Sequence, residues 1–416
     1  MHVLDLACPS ANLPAAGILV GLMAIMEEEA MELEFDSDQE ELRASVRAVL
    51  ARECPMSLVR EIVEIGIVAE PLWRRMCQLD WPALTIPQDN GGMGLGAVEL
   101  AVLAEELGRV VAPGPLLSTV AFFVPAVREA GTKEQLDRFL RPIATSGCTG
   151  ALAVAERHGG WERSEMEASA TRREDGWVLS GQKRFVLEGC RAEQIVVAAR
   201  VVEPKLGPDA HGSSGIGLFV VDREAVDVEQ VETLDASRCM AEMDLKGVRV
   251  GPDRMLNGTS DGGAALERAL EEATAAVSLE MVGACSSILE IALQYAKDRE
   301  QFGVKIGSFQ AMKHKFADMF VALEAARAAC YFAVAAIAED DPRRSIAASM
   351  AKALAGDCER LICQEGIQIL GGIGYTWEHD MHLYVKRAMS DASLLGTAEQ
   401  HRRRVADLLG LSRSSP

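Results

Sequence analysis

Residues 299–303 read Arg-Glu-Gln-Phe-Gly and residues 368–374 read Gln-Ile-Leu-Gly-Gly-Ile-Gly, and each stretch ends a long segment with helical periodicity. Before the first stretch, apolar residues recur at alternating steps of four and three, which places them on one stripe of one helix. These residues are Val277, Met281, Ala284, Ile288, Ile291 and Tyr295. A second stripe follows it and comprises Phe309, Met312, Phe316, Phe320 and Leu323.

Further segments complete a predicted helical bundle at residues 257–416. A helix from Arg344 to Leu370 follows the helix-breaking Asp341-Pro342 and ends at the glycines of the second stretch. A last pair of helices is predicted around 381–394 and 398–410. Helices of this length with short connections favour an antiparallel bundle of four helices.

Residues 149–256 have a different character. Short runs rich in β-branched residues begin at Trp177, Ile195, Gly217 and Met243, and turn signals separate them. These runs predict a small, β-barrel-like middle domain, which ends near Gly251-Pro252 and Asn257-Gly258. Upstream, residues 31–148 predict an N-terminal α-helical domain, and residues 1–30 are an extension to which we assign no role.

Composition excludes several classes of protein. The net charge of −20 argues against non-specific binding to nucleic acid or to an anionic membrane. The apolar run at 16–26 is shorter than the roughly 20 residues that span a bilayer. The ten cysteines are scattered without zinc spacing, which favours free thiols in a reducing cytoplasm and predicts no metal site.

Motifs outside the bundle carry a specific resemblance. Residues 81–87 read Trp-Pro-Ala-Leu-Thr-Ile-Pro, residues 91–94 read Gly-Gly-Met-Gly, and residues 104–108 read Ala-Glu-Glu-Leu-Gly. Gly181-Gln-Lys183 follows in the middle domain. With the two stretches quoted first, the chain resembles the acyl-CoA dehydrogenase family over about residues 35–410. The resemblance implies the helical, β and bundle domain order and an enzyme that uses flavin adenine dinucleotide (FAD).

The same resemblance implies a reaction and its partners. A carboxylate removes the α-proton of an acyl-CoA thioester while the β-carbon transfers a hydride to flavin N5. The product is a trans-2-enoyl-CoA, and electrons pass to an electron-transfer flavoprotein.

The two opening stretches match the family's cofactor contacts. Arg299 would bridge the FAD pyrophosphate with its fork of donors, and Phe302 would lie by the adenosine. In this family these contacts cross a dimer interface and hold the FAD of the partner subunit. Each residue also has a purely structural interpretation, with Arg299 complementing a helix dipole and Gly303 capping the helix. The candidate cofactor-binding residues are Arg299, Phe302, Gln310, Gln368, Gly371, Gly372 and Gly374.

The expected catalytic base is missing at both of the family's positions. The usual catalytic Glu corresponds to Leu395, and the position that other relatives use corresponds to Ala273. Glu271 and Glu272 lie one or two residues away and are weak candidates, because one residue turns a helical side chain by about 100°. Glu378 is a further carboxylate, which the resemblance assigns to structure rather than catalysis.

The flavin face of the middle domain departs from the family as well. A Thr and a Ser that the family uses there correspond to Ala155 and Trp161. Phe185 keeps an aromatic ring for packing, while Leu187 replaces a Thr.

Three functions therefore stay open. The first is one half of a heteromeric dehydrogenase whose partner supplies the catalytic Glu, as in actinobacterial pairs that act on bulky acyl-CoA substrates such as steroid side chains. The second is a self-sufficient homotetramer with its base elsewhere. The third is a non-redox acyl-CoA-binding scaffold.

Overall fold

The N-terminal domain is helical, and polar side chains cap the N-termini of its first and last helices. The computed structural model describes residues 35–157, 159–161, 163–202, 215–256 and 262–411, and the extension predicted at 1–30 lies outside them. Asp36 accepts a hydrogen bond from the backbone N–H of Gln39, whose side chain accepts one in return. The helices are α1 (Ser37–Glu53), α2 (Met56–Ile65), α3 (Glu70–Gln78), α4 (Ala97–Arg109), α5 (Val124–Ala130) and α6 (Lys133–Ser146).

The middle domain contains two sheets around one apolar core. Its strands are β1 (Gly150–Ala153), β2 (Ser169–Arg173), β3 (Gly176–Ser180), β4 (Gln182–Leu187), β5 (Gln194–Val202), β6 (Ile216–Asp222), β7 (Asp227–Val231), β8 (Met240–Asp244), β9 (Val248–Val250) and β10 (Met255–Leu256). Seven strands form one sheet in the order β10-β6-β5-β2-β3-β9, with β1 also paired to β5. Three strands form the other sheet in the order β4-β8-β7. The run predicted from Met243 is two strands, because a turn with Gly247 at φ 72° divides it.

The C-terminal domain is the predicted bundle. Its helices are α7 (Gly262–Asp298), α8 (Gln310–Ala338), α9 (Arg344–Leu370), α10 (Met381–Asp391) and α11 (Ala398–Leu408), and a short hairpin of β11 (Glu300–Gln301) and β12 (Val304–Lys305) joins α7 to α8. Helix α9 packs against α7, α8 and α11. Helices α7 and α8 are long and apolar enough to cross a membrane, but 83% and 56% of their most apolar windows are buried, as in core helices.

The two apolar stripes have different environments. On α7, the stripe from Val277 to Ile288 is buried, as the periodicity predicts. On α8, Leu323 is buried while Phe320 is 57% exposed and its neighbour Val321 is 67% exposed. The N-terminal half of α8 therefore presents an apolar face outward from the single chain.

Helices α4 and α7 cross with their backbones in contact. A Cβ atom added to Gly108 would lie 1.9 Å from the carbonyl oxygen of Glu280, and one added to Gly283 would lie 1.9 Å from that of Glu105. Only glycine fits at both positions, since real Cβ atoms do not approach this closely. This crossing fixes the N-terminal domain on the bundle.

Glu105 and Glu106 of the 104–108 motif stabilise the same helix crossing. Glu105 accepts hydrogen bonds from Arg327 Nε (3.0 Å) and the Tyr331 hydroxyl (2.6 Å), both on α8. Glu106 accepts two from Arg47 on α1, at 2.8 and 2.6 Å. The motif is therefore a structural junction between α1, α4 and α8.

A buried ion pair holds the middle domain together. Lys183 is fully buried and donates from Nζ to Glu156 Oε1 (2.6 Å) and to the Val154 carbonyl (2.9 Å). Glu156 also accepts from the backbone N–H groups of Glu167 (2.6 Å) and Ala168 (3.0 Å). Burial lowers the pKa of Lys183 to about 8, while the Glu156 carboxylate opposes that shift. Lys183 of the Gly181-Gln-Lys183 motif thus serves the core of the β domain together with Glu156.

We expect Lys183→Met to destabilise the chain by about 3–5 kcal/mol, because it leaves the buried Glu156 carboxylate without its counter-charge. Lys246→Met is the matched control, since the exposed Lys246 pairs with Asp244 at the surface and such pairs contribute about 0–1 kcal/mol. Chemical denaturation followed by circular dichroism measures both. Equal effects of the two substitutions would contradict a structural role for the buried pair.

Candidate active site and cofactor clamp

The Arg299 stretch forms the hairpin directly after α7. Strands β11 and β12 pair antiparallel, and Phe302 and Gly303 form the turn with φ 56° and 80°. Two consecutive positive φ values are typical of a type I′ hairpin turn. The structural interpretation of Gly303 as a helix cap is therefore wrong, because α7 ends at Asp298 and Gly303 belongs to the hairpin turn. A phenylalanine at positive φ is strained, and such strain is common at functional sites.

The hairpin brings three candidate residues to one surface. Phe302 is 93% exposed, and its ring lies 6.4 Å from that of Phe309, which precedes Gln310 at the start of α8. Arg299 and Gln310 are also exposed. Within the described ranges, the Arg299 guanidinium has no hydrogen-bond or ion-pair partner. It is thus available to bind an anion outside this chain.

The glycine-rich stretch ends α9 with open backbone. Gly371 has φ 64°, and a Cβ atom added to Gly371 or Gly372 would meet nothing within 4 Å. Gln368 is exposed one turn earlier. Gly374, in contrast, is buried, and an added Cβ would lie 3.1 Å from Leu370 Cβ. Gly371 and Gly372 therefore offer backbone that a ligand can approach, whereas Gly374 serves local packing.

The position of the family's usual base lies in a tightly held loop between α10 and α11. Leu395 is buried and has φ 62°. His401 Nε2 lies 3.0 Å from the Leu395 carbonyl oxygen, which requires the tautomer with the proton on Nε2. Lys352 Nζ donates to the carbonyls of Gly396 (3.0 Å) and Asp391 (2.9 Å). These hydrogen bonds therefore hold the loop backbone in one conformation, but the side chain at the usual base position is apolar.

A cavity of about 210 Å³ borders this loop, and its lining includes Trp161, Glu271, Thr274, Leu395 and Arg404. The cavity lies between the middle-domain loop that follows Ala155 and the helices of the bundle. Two of the positions at which the chain departs from the family's polar residues, Trp161 and Leu395, line this one cavity.

The two candidate carboxylates each have a basic partner. Glu271 accepts from Arg344 Nε (2.7 Å) and from the Ser345 hydroxyl, so both of its oxygens are engaged. Glu272 pairs with Arg128 Nη2 (2.5 Å) and is absent from the cavity lining. A catalytic role for either residue stays a prediction. Glu378 lies exposed beyond the glycine-rich stretch, and Ala273 is buried.

The middle-domain positions that the resemblance assigns to the flavin keep an aromatic ring but no hydroxyl. Phe185 is 42% exposed at φ 55°, at a bulge in β4 beside Gly159. The buried Ala155 accepts the Arg184 backbone N–H through its carbonyl (2.8 Å), and Leu187 is buried. A ring could pack on Phe185, but the side chains of Ala155, Trp161 and Leu187 offer no oxygen to hydrogen-bond it.

Sequence reasoning missed a buried ionic network behind the cavity. Arg387 is fully buried and donates to Asp235 (2.6 Å), Glu280 (3.0 Å) and the Ser237 hydroxyl (2.7 Å), and it lies 3.4 Å from the Ala112 carbonyl.

Arg238 extends this network by pairing with both Glu280 and Asp391. Burial raises the pKa of Asp391 to about 7 against the opposing effect of Arg238. The network joins the middle domain to α7 and α10. Glu280, a charged residue within the apolar stretch 273–289 of α7, is the signal in the sequence from which a buried partner could have been predicted.

All three domains resemble those of known proteins. Three family models match consecutive segments: the acyl-CoA dehydrogenase N-terminal domain at residues 36–147, the middle domain at 151–251 and the C-terminal domain at 260–410. The acyl-CoA dehydrogenase IpdE2 of Mycolicibacterium smegmatis is 30% identical over 88% of this chain and 97% of its own length.

Solved structures of similar proteins agree with this family match. The Tcur3481-Tcur3483 steroid ACAD is 30% identical, with a TM-score of 0.79 over 90% of this chain and 98% of that one. One chain of the ChsE4-ChsE5 complex from Mycobacterium tuberculosis is 23% identical, with a TM-score of 0.81 over 92% of this chain and all of its own, and shows the shared fold.

The three domains and their matches to the family models define an oxidoreductase of the kind that dehydrogenates acyl-CoA thioesters. The chain belongs to the acyl-CoA dehydrogenase family. Members of this family are FAD-dependent flavoproteins.

We expect His401 to make the chain sensitive to mild acid. Burial lowers the pKa of His401 from 6.5 to about 4, so the unfolded chain binds more protons than the folded chain between these values. The stabilising effect of the neutral imidazole is present above pH 6.5 and is lost as the pH falls toward 4. His401→Gln, which cannot titrate, should reduce the loss of unfolding free energy across this window by on the order of 2–3 kcal/mol.

Unfolding curves at several pH values, compared between wild type, His401→Gln and the exposed control His314→Gln, measure this effect. An unchanged acid profile in His401→Gln would contradict it.

Proposed function

We propose that this chain is one half of a heteromeric acyl-CoA dehydrogenase, in which it completes an FAD site on a second subunit of the same family. One contrast carries the proposal. The residues that we call the cofactor clamp are exposed, and Arg299 among them has no partner in the described part of the chain, while the usual base position is the buried Leu395. The clamp comprises Arg299, Phe302, Gln310, Gln368, Gly371 and Gly372. In this arrangement the partner supplies the catalytic Glu and most of the flavin's polar contacts.

Each clamp residue has a chemical role that fits a dinucleotide. The Arg299 guanidinium presents a planar fork of donors that matches a pyrophosphate. Phe302 offers an exposed ring beside which an adenosine can pack, and the open backbone at Gly371 and Gly372 permits close approach. Because the chain carries a net charge of −20, these local groups must hold the anionic cofactor. The bound FAD supplies the hydride acceptor.

The exposed apolar face of α8 supports an assembly larger than one chain. Phe309, Phe320 and Val321 are 40%, 57% and 67% exposed, and they lie on the helix that begins at the clamp. Exposed apolar surface of this kind is typical of subunit interfaces. A subunit packed on this face would bring its own cofactor next to Arg299 and Phe302.

Relatives support the finer parts of the proposal. ChsE4-ChsE5 is described as a complex of two named chains, and the Tcur3481-Tcur3483 protein as a steroid ACAD. We therefore propose a bulky acyl-CoA, such as a steroid side chain, as the substrate, with a cytoplasmic location and an electron-transfer flavoprotein as electron acceptor. The self-sufficient homotetramer is the second candidate, favoured only by Glu271 beside the cavity.

We expect the purified chain alone to retain little FAD and to show no acyl-CoA-dependent bleaching of flavin absorbance. Co-expression with an acyl-CoA dehydrogenase gene adjacent in the genome should give a stable complex with one FAD for each pair of chains. Flavin absorbance and native mass spectrometry measure the stoichiometry. Full FAD occupancy and turnover by the lone chain would refute the heteromeric proposal, and a lone or paired chain that binds acyl-CoA without flavin would favour the scaffold.

We expect clamp substitutions to weaken FAD binding in the complex without destabilising this chain. Arg299→Ala removes charge-assisted hydrogen bonds, so the FAD dissociation constant should rise roughly 10- to 100-fold. Gly372→Ala adds a methyl group into open space in the single chain, so it should weaken FAD only if a ligand lies there.

Lys297→Ala is the control, because Lys297 is an exposed cation two residues before Arg299. Thermal unfolding of each lone variant verifies that the fold is intact. Unchanged FAD affinity in both clamp variants would show that this chain does not hold the cofactor.

A further inference from the structure

Three exposed apolar residues lie just after the glycines that end α9. Ile373, Tyr375 and Trp377 are 40%, 78% and 58% exposed, and the proposed function gives none of them a role. Tryptophan and tyrosine are enriched among the few residues that supply most of the binding energy at protein interfaces. Exposed apolar side chains grouped in this way are typical of a surface that another protein covers.

Neighbouring side chains hold the Trp377 ring in place although it is exposed. Lys386 Nζ lies 4.2 Å from the ring centroid, and the His382 ring packs edge-on against the indole with 4.5 Å between centroids. Arg60 on α2 donates from Nη1 to the Trp377 carbonyl (2.6 Å) and from Nε to Asp380 (2.6 Å). A side chain that is fixed before binding loses little conformational entropy when a partner covers it. The indole is therefore preorganised for a contact with another protein.

Lys386 carries an unpaired charge beside this ring. No carboxylate of the described residues lies within ion-pair distance of its ammonium, and the nearby Asp380 and Glu64 both pair with Arg60 instead. A partner that covers Trp377 also shields Lys386 from water, and a charge removed from water without a counter-charge is costly. The surface therefore fits a partner that places a carboxylate opposite Lys386.

The position of the rings next to the cofactor clamp indicates which partner covers them. Gly371 and Gly372 begin a short 3-10 helix, Gly371–Tyr375. With a rise of about 2 Å per residue, Gly372 and Tyr375 lie about 6 Å apart along its axis. A stable interface covers about 800 Å² on each partner, which extends well beyond this separation. A subunit whose cofactor lies against Gly372 therefore also covers Tyr375 and Trp377.

We propose that Tyr375, Trp377 and Lys386 form a docking surface for the second acyl-CoA dehydrogenase subunit of the heteromer. The partner buries both rings and places a carboxylate against Lys386. This inference rests on the heteromeric function proposed above and adds to it a surface that selects the partner by shape and charge. The cofactor clamp holds the partner's FAD, while the docking surface holds the partner's protein.

Hydroxyl-radical footprinting, read by peptide mass spectrometry, compares the lone full-length chain with the complex obtained by co-expressing the adjacent acyl-CoA dehydrogenase gene. We expect oxidation of Tyr375 and Trp377 to fall severalfold in the complex, because the centre of an interface is closed to water. Met93, which is 43% exposed in the N-terminal domain, is the internal reference.

Substitutions measure what the docking surface contributes to assembly. Tyr375→Ala combined with Trp377→Ala should raise the dissociation constant of the complex roughly 10- to 100-fold. Leu234→Ala, at a 54% exposed position in the middle domain, is the matched control and should leave it unchanged. Lys386→Glu should weaken the complex at low salt and less so at high salt, unlike the control Lys133→Glu. Thermal unfolding of each lone variant verifies its fold.

The outcomes separate this inference from the proposed function. A wild-type complex with bound FAD in which both rings are still oxidised, and which the double substitution does not weaken, would overturn the docking surface and leave the heteromeric function intact. Absence of any complex, with full FAD occupancy of the lone chain, would overturn both. Protection of the rings in the lone chain would also overturn the inference. Loss of that protection on dilution would assign the surface to a second copy of this chain, and loss on deletion of residues 1–30 would assign it to that extension.

Discussion

Glu280 lies between two buried arginines that come from different domains, and the relative placement of the domains depends on this contact. Arg387 reaches it from α10, and Arg238 reaches it from the loop before β8. All three side chains are at least nine-tenths buried. Charges so far from water are tolerated only when each has a partner, so displacing any one element would leave a charge unpaired. The network therefore selects one placement of the middle domain on the bundle.

That arrangement also sets the walls of the candidate active site. Asp391, a member of the network, lies four residues before Leu395, and Lys352 binds the carbonyls of both Asp391 and Gly396. The loop at the family's base position is thus connected by hydrogen bonds to the same ions that fix the domains. The glycine crossing of α4 and α7 acts beside it, since Gly108 contacts the backbone of Glu280 itself. The backbone contact between α4 and α7 and the buried ion pairs therefore both involve Glu280.

Local patterns in the sequence predicted much of the fold. The three-domain order, the buried stripe of α7 and the end of α9 at its glycines all follow from periodicity and breakers. Periodicity does not distinguish a core face from a face that another subunit covers, which is why the stripe on α8 includes the exposed Phe320. The hairpin at Gly303 was missed because a glycine after a helix fits both a cap and a turn.

The ionic network was out of reach for a different reason. Its members lie at positions 235–238, 280 and 387–391, and nothing in the local sequence around one of them identifies the others. Glu156 and Lys183 illustrate the same limit, because they pair inside the β core although they are 27 residues apart in the sequence. Long-range pairing of charges is a property of the folded chain.

The proposed cofactor site has an exposed part and a buried part, and the two parts differ in how much they contribute to the stability of this chain. Arg299 and Phe302 are exposed and make few contacts within the chain, so they contribute little to the stability of this fold and are free for the ligand role that we propose. Leu395 and Leu187, in contrast, are buried and pack as ordinary apolar residues. A polar group restored at these two positions would need a partner to compensate for its burial. The exposed end is therefore available to a neighbouring subunit, while the buried end contributes to the stability of this one.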